Sequence, residues 1–209
     1  MAYFGAKVLH PQAMRPAKQA DIPIRILNTF EPDHPGTRVS KNGSSSGQTV
    51  KAITAIKELS LITVEGAGMI GVPGVAARTF GAVAHTGTSV LMISQSSSEQ
   101  SICFVVPTRE TAQVLTTLEK EMARELERRD IERIWAQDDI VILAVVGAGM
   151  KGTPGISARV FGAMGKHNVN VIAIAQGSSE YNISLVIGRS DADDAVRCLH
   201  DEFNLAGDK

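Results

Sequence analysis

The sequence has few of the residues and runs that mark several common classes of protein. Its two cysteines, Cys103 and Cys198, and its five histidines have no spacing typical of metal ligands or of a disulfide framework. The longest uninterrupted apolar run, residues 140–146, is far shorter than the roughly 20 residues that a membrane-spanning helix needs. No basic-then-apolar signal pattern begins the chain, and the net charge of −1 provides no basic surface for nucleic acid. We therefore expect a cytoplasmic protein with reduced cysteines and no metal site.

What the chain does contain is an internal repeat. Residues Val64 through Glu99 align with Val145 through Glu180, and 19 of the 36 aligned positions are identical. The two copies begin 145 − 64 = 81 residues apart. Because the chain of 209 residues has room for two small domains, the repeat indicates a duplicated domain.

Each copy has the same order of predicted elements. An apolar strand leads into a glycine-rich turn, a helix, two strands and a second helix, one strand short of a βαββαβ unit. Residues 131–137 offer the missing strand of the first copy, and at the same offset residues 50–56 offer that of the second. The sequence thus predicts an α+β fold of two ferredoxin-like βαββαβ modules packed side by side, the first inserted in sequence into the second. The first module is residues 57–137, and the second comprises residues 50–56 plus 138–209.

Residues 1–49 lie outside the repeat. They contain a helical pattern bounded by Pro11 and Pro16, a short apolar strand at "IPIRIL" and a linker-like stretch, "SKNGSSSGQ". A segment of this length cannot bury a core of its own. We expect it to be the remnant of another domain followed by a linker.

The turn after the first repeated strand, "GAGMIGVPG", matches the G-x-G-x-x-G pattern of dinucleotide-binding loops at Gly66, Gly68 and Gly71. That interpretation requires an acidic residue at the end of the second strand, where the chain has Gln95, and a β-α-β continuation that is absent. Two alternatives remain open. The glycines only permit a tightly packed turn, or the N–H groups at the helix start bind the carboxylate of a free amino acid beside Gln95.

Two other repeated features invite structural interpretations. Arg78 and its repeat equivalent Arg159 are expected to make surface or inter-module ion pairs rather than to meet a ligand. Ser190 with Asp193 has the spacing of a capping box for the last helix.

The doubled unit with "G-x-P-G" before its helix resembles paired ACT domains. The motifs "ISQSSSE" and "IAQGSSE" are similar to the regulatory half of aspartokinases, particularly the threonine-sensitive type also found fused to homoserine dehydrogenase. The stretches "FGAKVLHPQAM" and "ADIPIRILNTFEPDHPGT" resemble the last helix and strand of the aspartokinase catalytic domain. The resemblance covers nearly the whole chain.

This resemblance implies a parent enzyme that uses ATP and Mg²⁺ to phosphorylate the β-carboxylate of aspartate, the first step toward lysine, threonine and methionine. The lysine-glycine phosphate motif of the family is not in this sequence, so we expect no catalytic residue, no cofactor and no kinase activity in this chain alone. It is expected to be an allosteric regulatory fragment that forms a homodimer through its ACT modules and acts on the missing catalytic domain. Lys7 matches a family lysine near the nucleotide, although an exposed helix lysine is an equal alternative.

The resemblance also implies effector-binding positions in both copies. They fall on the loop and helix start, on the second strand and at the equivalent places of the repeat. These candidates are Met69, Gly74, Val75, Ala76, Ser89, Val90, Gln95, Met150, Ile156 and Gln176.

The composition of the first copy bears on the choice of effector. No acidic residue lies between Gly66 and Ser98, and a lysine ammonium buried without a carboxylate is costly. We therefore expect threonine as the effector, with lysine second. A stand-alone amino-acid sensor acting on another protein and a dinucleotide enzyme are the alternatives.

Overall fold

The computed structural model describes residues 9–40 and 49–206, so Lys7 and most of the predicted linker lie outside the described residues. A 3₁₀ turn, in which the first N–H group is capped by the His10 ring, leads into a short helix. Two strands then pair antiparallel as a small separate sheet. These elements are α1 (Arg15–Gln19), β1 (Ile24–Ile26) and β2 (Thr37–Val39).

The remaining elements follow the predicted order twice. The strands are β3 (Ala52–Glu65), β4 (Met92–Gln95), β5 (Ser101–Pro107), β6 (Arg133–Val146), β7 (Val171–Gln176) and β8 (Asn182–Gly188). The helices are α2 (Val75–His85), α3 (Thr111–Glu121), α4 (Ala123–Arg128), α5 (Ile156–Lys166) and α6 (Ala192–Glu202). Among the described residues, no helix combines the length and apolar character needed to cross a membrane.

The six strands form one sheet in the order β4-β5-β3-β6-β8-β7. The two central strands pair with each other in two halves that belong to different modules. Residues 52–56 of β3 pair with residues 142–146 of β6 in the second module. Residues 61–65 of β3 pair instead with residues 133–137 of β6 and, on the other side, with β5. The predicted fold of two βαββαβ modules is thereby confirmed. The first module is completed by residues 133–137, and the second by residues 52–56, which precede the first module in the sequence.

Each central strand bends near its middle. The register of the β3–β6 pair shifts between Ile56 and Leu61, and Glu58 (φ 62°) and Asp139 (φ 54°) adopt left-handed backbone conformations there. Such bulges kink a strand without ending it. Residues 52–56 of the segment predicted at 50–56 therefore form one continuous strand with the segment that follows them, which was predicted as separate.

Alternate residues of the central strands enter different hydrophobic cores. In β3, Ile62 packs with α2 and α3, and in β6, Leu143 packs with α5 and α6. Their neighbours Leu61 and Ile142 point to the other face, where both belong to a third buried cluster. Since a strand alternates its side chains between two faces, both faces of the sheet are covered. Helices cover one face. On the other face, apolar side chains of the two modules pack together in the third cluster.

The outer strands β4 and β7 also approach each other, although they lie at opposite ends of the sheet order. The Ser94 Oγ donates a hydrogen bond of 3.0 Å to the backbone carbonyl of Ile174. Each of these strands ends in one of the two glutamines predicted as effector contacts, Gln95 and Gln176. The contact therefore joins the strands that carry the two candidate sites.

Candidate functional site

The first glycine of each loop lies against the backbone of the segment that leads into the last strand of its module. A Cβ atom added to Gly66 would lie 2.3 Å from the carbonyl oxygen of Asp130, and one added to Gly147 would lie 2.2 Å from that of Thr49. These contacts are shorter than any side chain tolerates. The glycine at the start of the apparent dinucleotide fingerprint, and its repeat equivalent, are therefore required by the close approach of the segment that completes the sheet of the same module, without reference to a phosphate.

The later glycines shape the turn into the helix. Gly71 (φ 69°) and Gly74 (φ 91°) both adopt left-handed conformations that favour glycine, and the second copy repeats them at Gly152 and Gly155. The turn brings the N-terminus of α2, or of α5, to the edge of a cavity. Helix N-termini carry free N–H groups and a partial positive charge, so this geometry suits a carboxylate.

A cavity of about 300 Å³, the first cavity, lies between this turn and the end of β4. It collects five of the predicted effector residues, Met69, Gly74, Val75, Ala76 and Gln95. A volume of this size matches a small metabolite and lies at the low end of ligand sites.

The first-copy strand candidates Ser89 and Val90 lie elsewhere. Ser89 is exposed ahead of β4, and Val90 packs against the core of the first module. Neither lines the first cavity, because β4 turns toward the cavity only at its end, where Gln95 stands.

The second copy has an equivalent second cavity of about 330 Å³. It brings together Met150, Ile156 and Gln176, the three residues predicted there. The two cavities thus occupy corresponding places in the two modules.

Among the lining residues that the sequence did not predict, each cavity contains one carboxylate. The Glu99 carboxylate accepts a hydrogen bond of 2.9 Å from the Gly71 N–H, and the Glu180 carboxylate accepts one of 2.6 Å from the Gly152 N–H. We call these two contacts the glutamate latches. Both glutamates line their cavities and sit at left-handed positions of the hairpin that follows β4 or β7.

The signal for the latches was present in the repeat, since "SSE" recurs at the same offset. Glu99 is the first residue after the range 66–98, which contains no acidic residue, and the hairpin brings its carboxylate back to the loop. The first cavity therefore contains an acid, contrary to the expectation drawn from residues 66–98.

The repeated arginines lie outside the cavities and join helices within one module. Arg78 Nε donates to Glu121 Oε1 at 3.1 Å, and its Nη1 donates to Glu125. The hydrogen bonds to Glu125 and Glu121 raise the pKa of Arg78, and the bond from Arg78 lowers the pKa of Glu125. Arg159 makes the same contact to Glu202, at 2.7 Å. The surface ion pairs are thus present, but they do not bridge the modules.

Other reactive groups of the described chain lie away from the cavities. Burial raises the pKa of the Cys103 and Cys198 thiols, which disfavours the thiolate form that acts as a nucleophile. Within residues 9–40 and 49–206, no group of three or more His, Cys, Asp or Glu side chains is placed to hold a metal ion. The geometry of the cavities supports binding of a small molecule.

Comparison with known proteins gives these cavities a family context. The sequence profile of the ACT domain matches residues 62–122 and 143–203, which correspond to the two copies. The bifunctional aspartokinase/homoserine dehydrogenase of Daucus carota is 45% identical over 215 residues, covering 99% of this chain and 23% of that protein. The Haemophilus influenzae protein of the same name is 44% identical, covering 96% of this chain and 24% of its own length. The chain spans about a quarter of these curated relatives.

Solved structures agree with the sequence matches. The aspartate kinase of Clostridium acetobutylicum superposes with a TM-score of 0.82 at 27% identity, covering 94% of this chain and 45% of that chain. The regulatory subunit of aspartate kinase from Thermus thermophilus, in its ligand-free form, has a TM-score of 0.65 at 29% identity. This superposition covers 75% of this chain and 99% of the Thermus thermophilus chain.

Proposed function

Because this chain belongs to the ACT-domain family and is homologous to the regulatory region of aspartokinases, we propose that it is an allosteric amino-acid sensor for an aspartate kinase. The kinase it regulates transfers the γ-phosphate of ATP, with Mg²⁺, to the β-carboxylate of aspartate. One observation carries the proposal: a turn, a helix N-terminus and a glutamine enclose a cavity of amino-acid size at the same place in both modules.

The chemistry of the first cavity suits the common part of an amino acid. The α-carboxylate binds the N–H groups at the start of α2, where the helix dipole is favourable. The α-ammonium lies near the Glu99 carboxylate, and the Gln95 amide offers both a donor and an acceptor to the side chain. The second cavity offers Glu180 and Gln176 in the same roles.

Threonine is the effector that we propose. Glu99 supplies a carboxylate, but its Oε2 already accepts a hydrogen bond from the Gly71 N–H. We assign the remaining capacity of this carboxylate to the α-ammonium of the ligand. A lysine side chain would bring a second ammonium group into the same cavity, which has no second acid at its wall. An uncharged side chain with a hydroxyl group matches the Gln95 amide without that cost.

Regulation requires that the effector bind one arrangement of the kinase better than another, since only differential affinity shifts an equilibrium. A coupling of about 1–3 kcal/mol is typical of such feedback. We also propose that the chain forms a homodimer through its outer strands, which expose Ile93 on β4 and Ile174 on β7. Sedimentation of wild type and of Ile93→Lys tests the dimer, because a charge at a paired edge weakens association.

Calorimetry of the full chain with L-threonine, L-lysine and L-methionine tests the proposed function. We expect threonine to bind at two sites and to raise the thermal unfolding temperature, with about 2.7 kcal/mol of added stability from each occupied site at a free concentration about a hundredfold above its Kd. Gln95→Ala and Gln176→Ala should each remove one site, since each glutamine lines one cavity.

Gln113→Ala is the matched control, because Gln113 is an exposed glutamine on α3, away from both cavities. Its threonine isotherm should match that of wild type. Absence of binding by all three amino acids would end the sensor proposal, and tighter binding of lysine than of threonine would change the effector.

A further inference from the structure

The two cavities share their backbone but differ in three side chains at their walls, and one of the three changes, Val75 to Ile156, exchanges one apolar side chain for another. Val72 in the first cavity corresponds to Thr153 in the second, and Ala76 corresponds to Ser157. Both Ala76 and Ser157 are the second residue of their helix, and both are half-buried. The glutamine and the glutamate latch are present in both cavities. A difference in ligand preference must therefore come from the substituted positions.

The two additional hydroxyl groups of the second cavity are not equally available. The Thr153 hydroxyl donates a hydrogen bond of 2.7 Å to the carbonyl oxygen of Gly149, so its proton is already used within the loop. Within the described ranges, the Ser157 hydroxyl has no hydrogen-bond partner in the protein. Of these two hydroxyl groups, that of Ser157 is the one free to donate to a ligand.

Building on the proposed function, we propose that Ser157 makes the second cavity selective for an amino acid whose side chain carries a hydroxyl group. A bound ligand shields Ser157 from water, and an apolar side chain leaves its hydroxyl unpaired. A site with a polar group to satisfy discriminates strongly against an analogue that lacks the matching group. The first cavity has the Ala76 methyl group at this place. This apolar group has no hydrogen bond to lose, so it does not distinguish the hydroxyl group of threonine from the second methyl group of valine.

L-threonine and L-valine are the probes, because they have nearly the same shape and differ by one hydroxyl group. Calorimetry of the full chain carrying Gln95→Ala reports the second cavity, and Gln176→Ala reports the first. We expect the second cavity to prefer threonine to valine by about tenfold more than the first cavity does, the value of one hydrogen bond.

Exchange of the two wall residues then assigns the preference. Ser157→Ala in the Gln95→Ala background should lower the threonine-to-valine ratio to that of the first cavity, and Ala76→Ser in the Gln176→Ala background should raise it. Thermal unfolding without ligand checks that each variant folds. Equal ratios in the two cavities, or a ratio that Ser157→Ala leaves unchanged, overturn this inference alone. No binding of either amino acid to wild type overturns the proposed function as well.

Discussion

The two modules agree at the residues that shape the loop and differ at part of the cavity wall. Both keep the loop glycines, the glutamate latch and an arginine that ties the first helix of the module to the second. They differ at the cavity wall, where Val72 and Ala76 become Thr153 and Ser157. They also differ in the loop beside the cavity, where Ile70 becomes Lys151. The constant set is dictated by backbone geometry, whereas the variable set faces the solvent or the cavity.

The mouth of the second cavity carries a contact that the first lacks. The Lys151 ammonium lies 5.8 Å from the centre of the Tyr181 ring, next to the latch between Gly152 and Glu180. The corresponding residues of the first module are Ile70, which is 53% exposed, and Gln100. Two contacts thus hold the second loop to its hairpin, and this comparison indicates a second cavity that is more fully organised before ligand binds.

The largest effects should come from the cores, which test whether the modules are energetically separate. Phe104 is fully buried, packs edge-on to Phe80 at 5.5 Å, and corresponds to the buried Leu185 of the second module. We expect Phe104→Ala to cost about 3–5 kcal/mol and Leu185→Ala about 2–5 kcal/mol.

Because β3 and β6 run through both modules, either core variant should shift one common unfolding transition, followed by urea denaturation with circular dichroism. Gln113→Ala, at an exposed site, should leave the midpoint unchanged. Two resolved transitions in either variant would mean that the modules unfold independently.

Glycine substitutions compare the strand crossings with the helices. Gly66→Ala and Gly147→Ala should each destabilise by about 3 kcal/mol, because the new Cβ overlaps backbone that cannot move without shifting the crossing strand. Gly81→Ala and Gly162→Ala are matched controls inside α2 and α5 with no atom within 4 Å of the new Cβ. They should stabilise by up to about 1 kcal/mol. Thermal melts of the four variants would contradict this argument if the two pairs changed stability equally.

The arginine contacts differ in their second partner. Arg78 binds the carboxylates of Glu121 and Glu125, whereas the Arg159 guanidinium lies 4.3 Å from the centre of the Phe203 ring as well as binding Glu202. Arg78→Met and Arg159→Met should each cost about 0.5–1 kcal/mol, because both arginines are partly exposed. The cost of Arg78→Met should fall more at 1 M salt, which screens an ion pair more than a stacked ring. Equal salt dependence in paired urea titrations would argue against this distinction.

The smallest effect concerns pH and the Glu125 carboxylate of the first module. The bond from Arg78 lowers the pKa of Glu125 below its ordinary value of 4.5, so the contribution of this carboxylate is present above that value and is lost as the pH falls through the lowered pKa. Glu125→Gln should therefore destabilise by about 0.5 kcal/mol at neutral pH and by less in acid. The second module has Ala206 at the equivalent position and so has no counterpart of this carboxylate. A difference between variant and wild type that stays constant from pH 7 to acid would contradict the assignment.

The repeat made the exchange of strands predictable, because residues 131–137 align with residues 50–56. It did not reveal that each segment continues into the next strand. Continuity depends on Glu58 and Asp139 adopting left-handed conformations, which are uncommon for residues other than glycine. Local patterns therefore indicated two strands where the structure has one bent strand.

The candidate site was predictable where it depends on the loop and the helix start, and less so where distant residues contribute. Glu99 returns to the loop 28 residues earlier only through the hairpin between β4 and β5. The predicted capping box at Ser190 and Asp193 is wrong, because a 3₁₀ turn precedes α6 and the Ser190 hydroxyl donates to Asp191 at 2.9 Å. Both errors arise from contacts that sequence spacing does not encode.

The exchanged strands also impose an order on folding as the chain leaves the ribosome. The sheet of the first module is drawn from residues 59–137 and can close once those residues have emerged. Residues 52–56 must then wait, attached to a finished sheet, until residues 142–146 arrive to pair with them. The half of β3 made first is therefore paired last, and during synthesis it is an open edge that other nascent chains can meet.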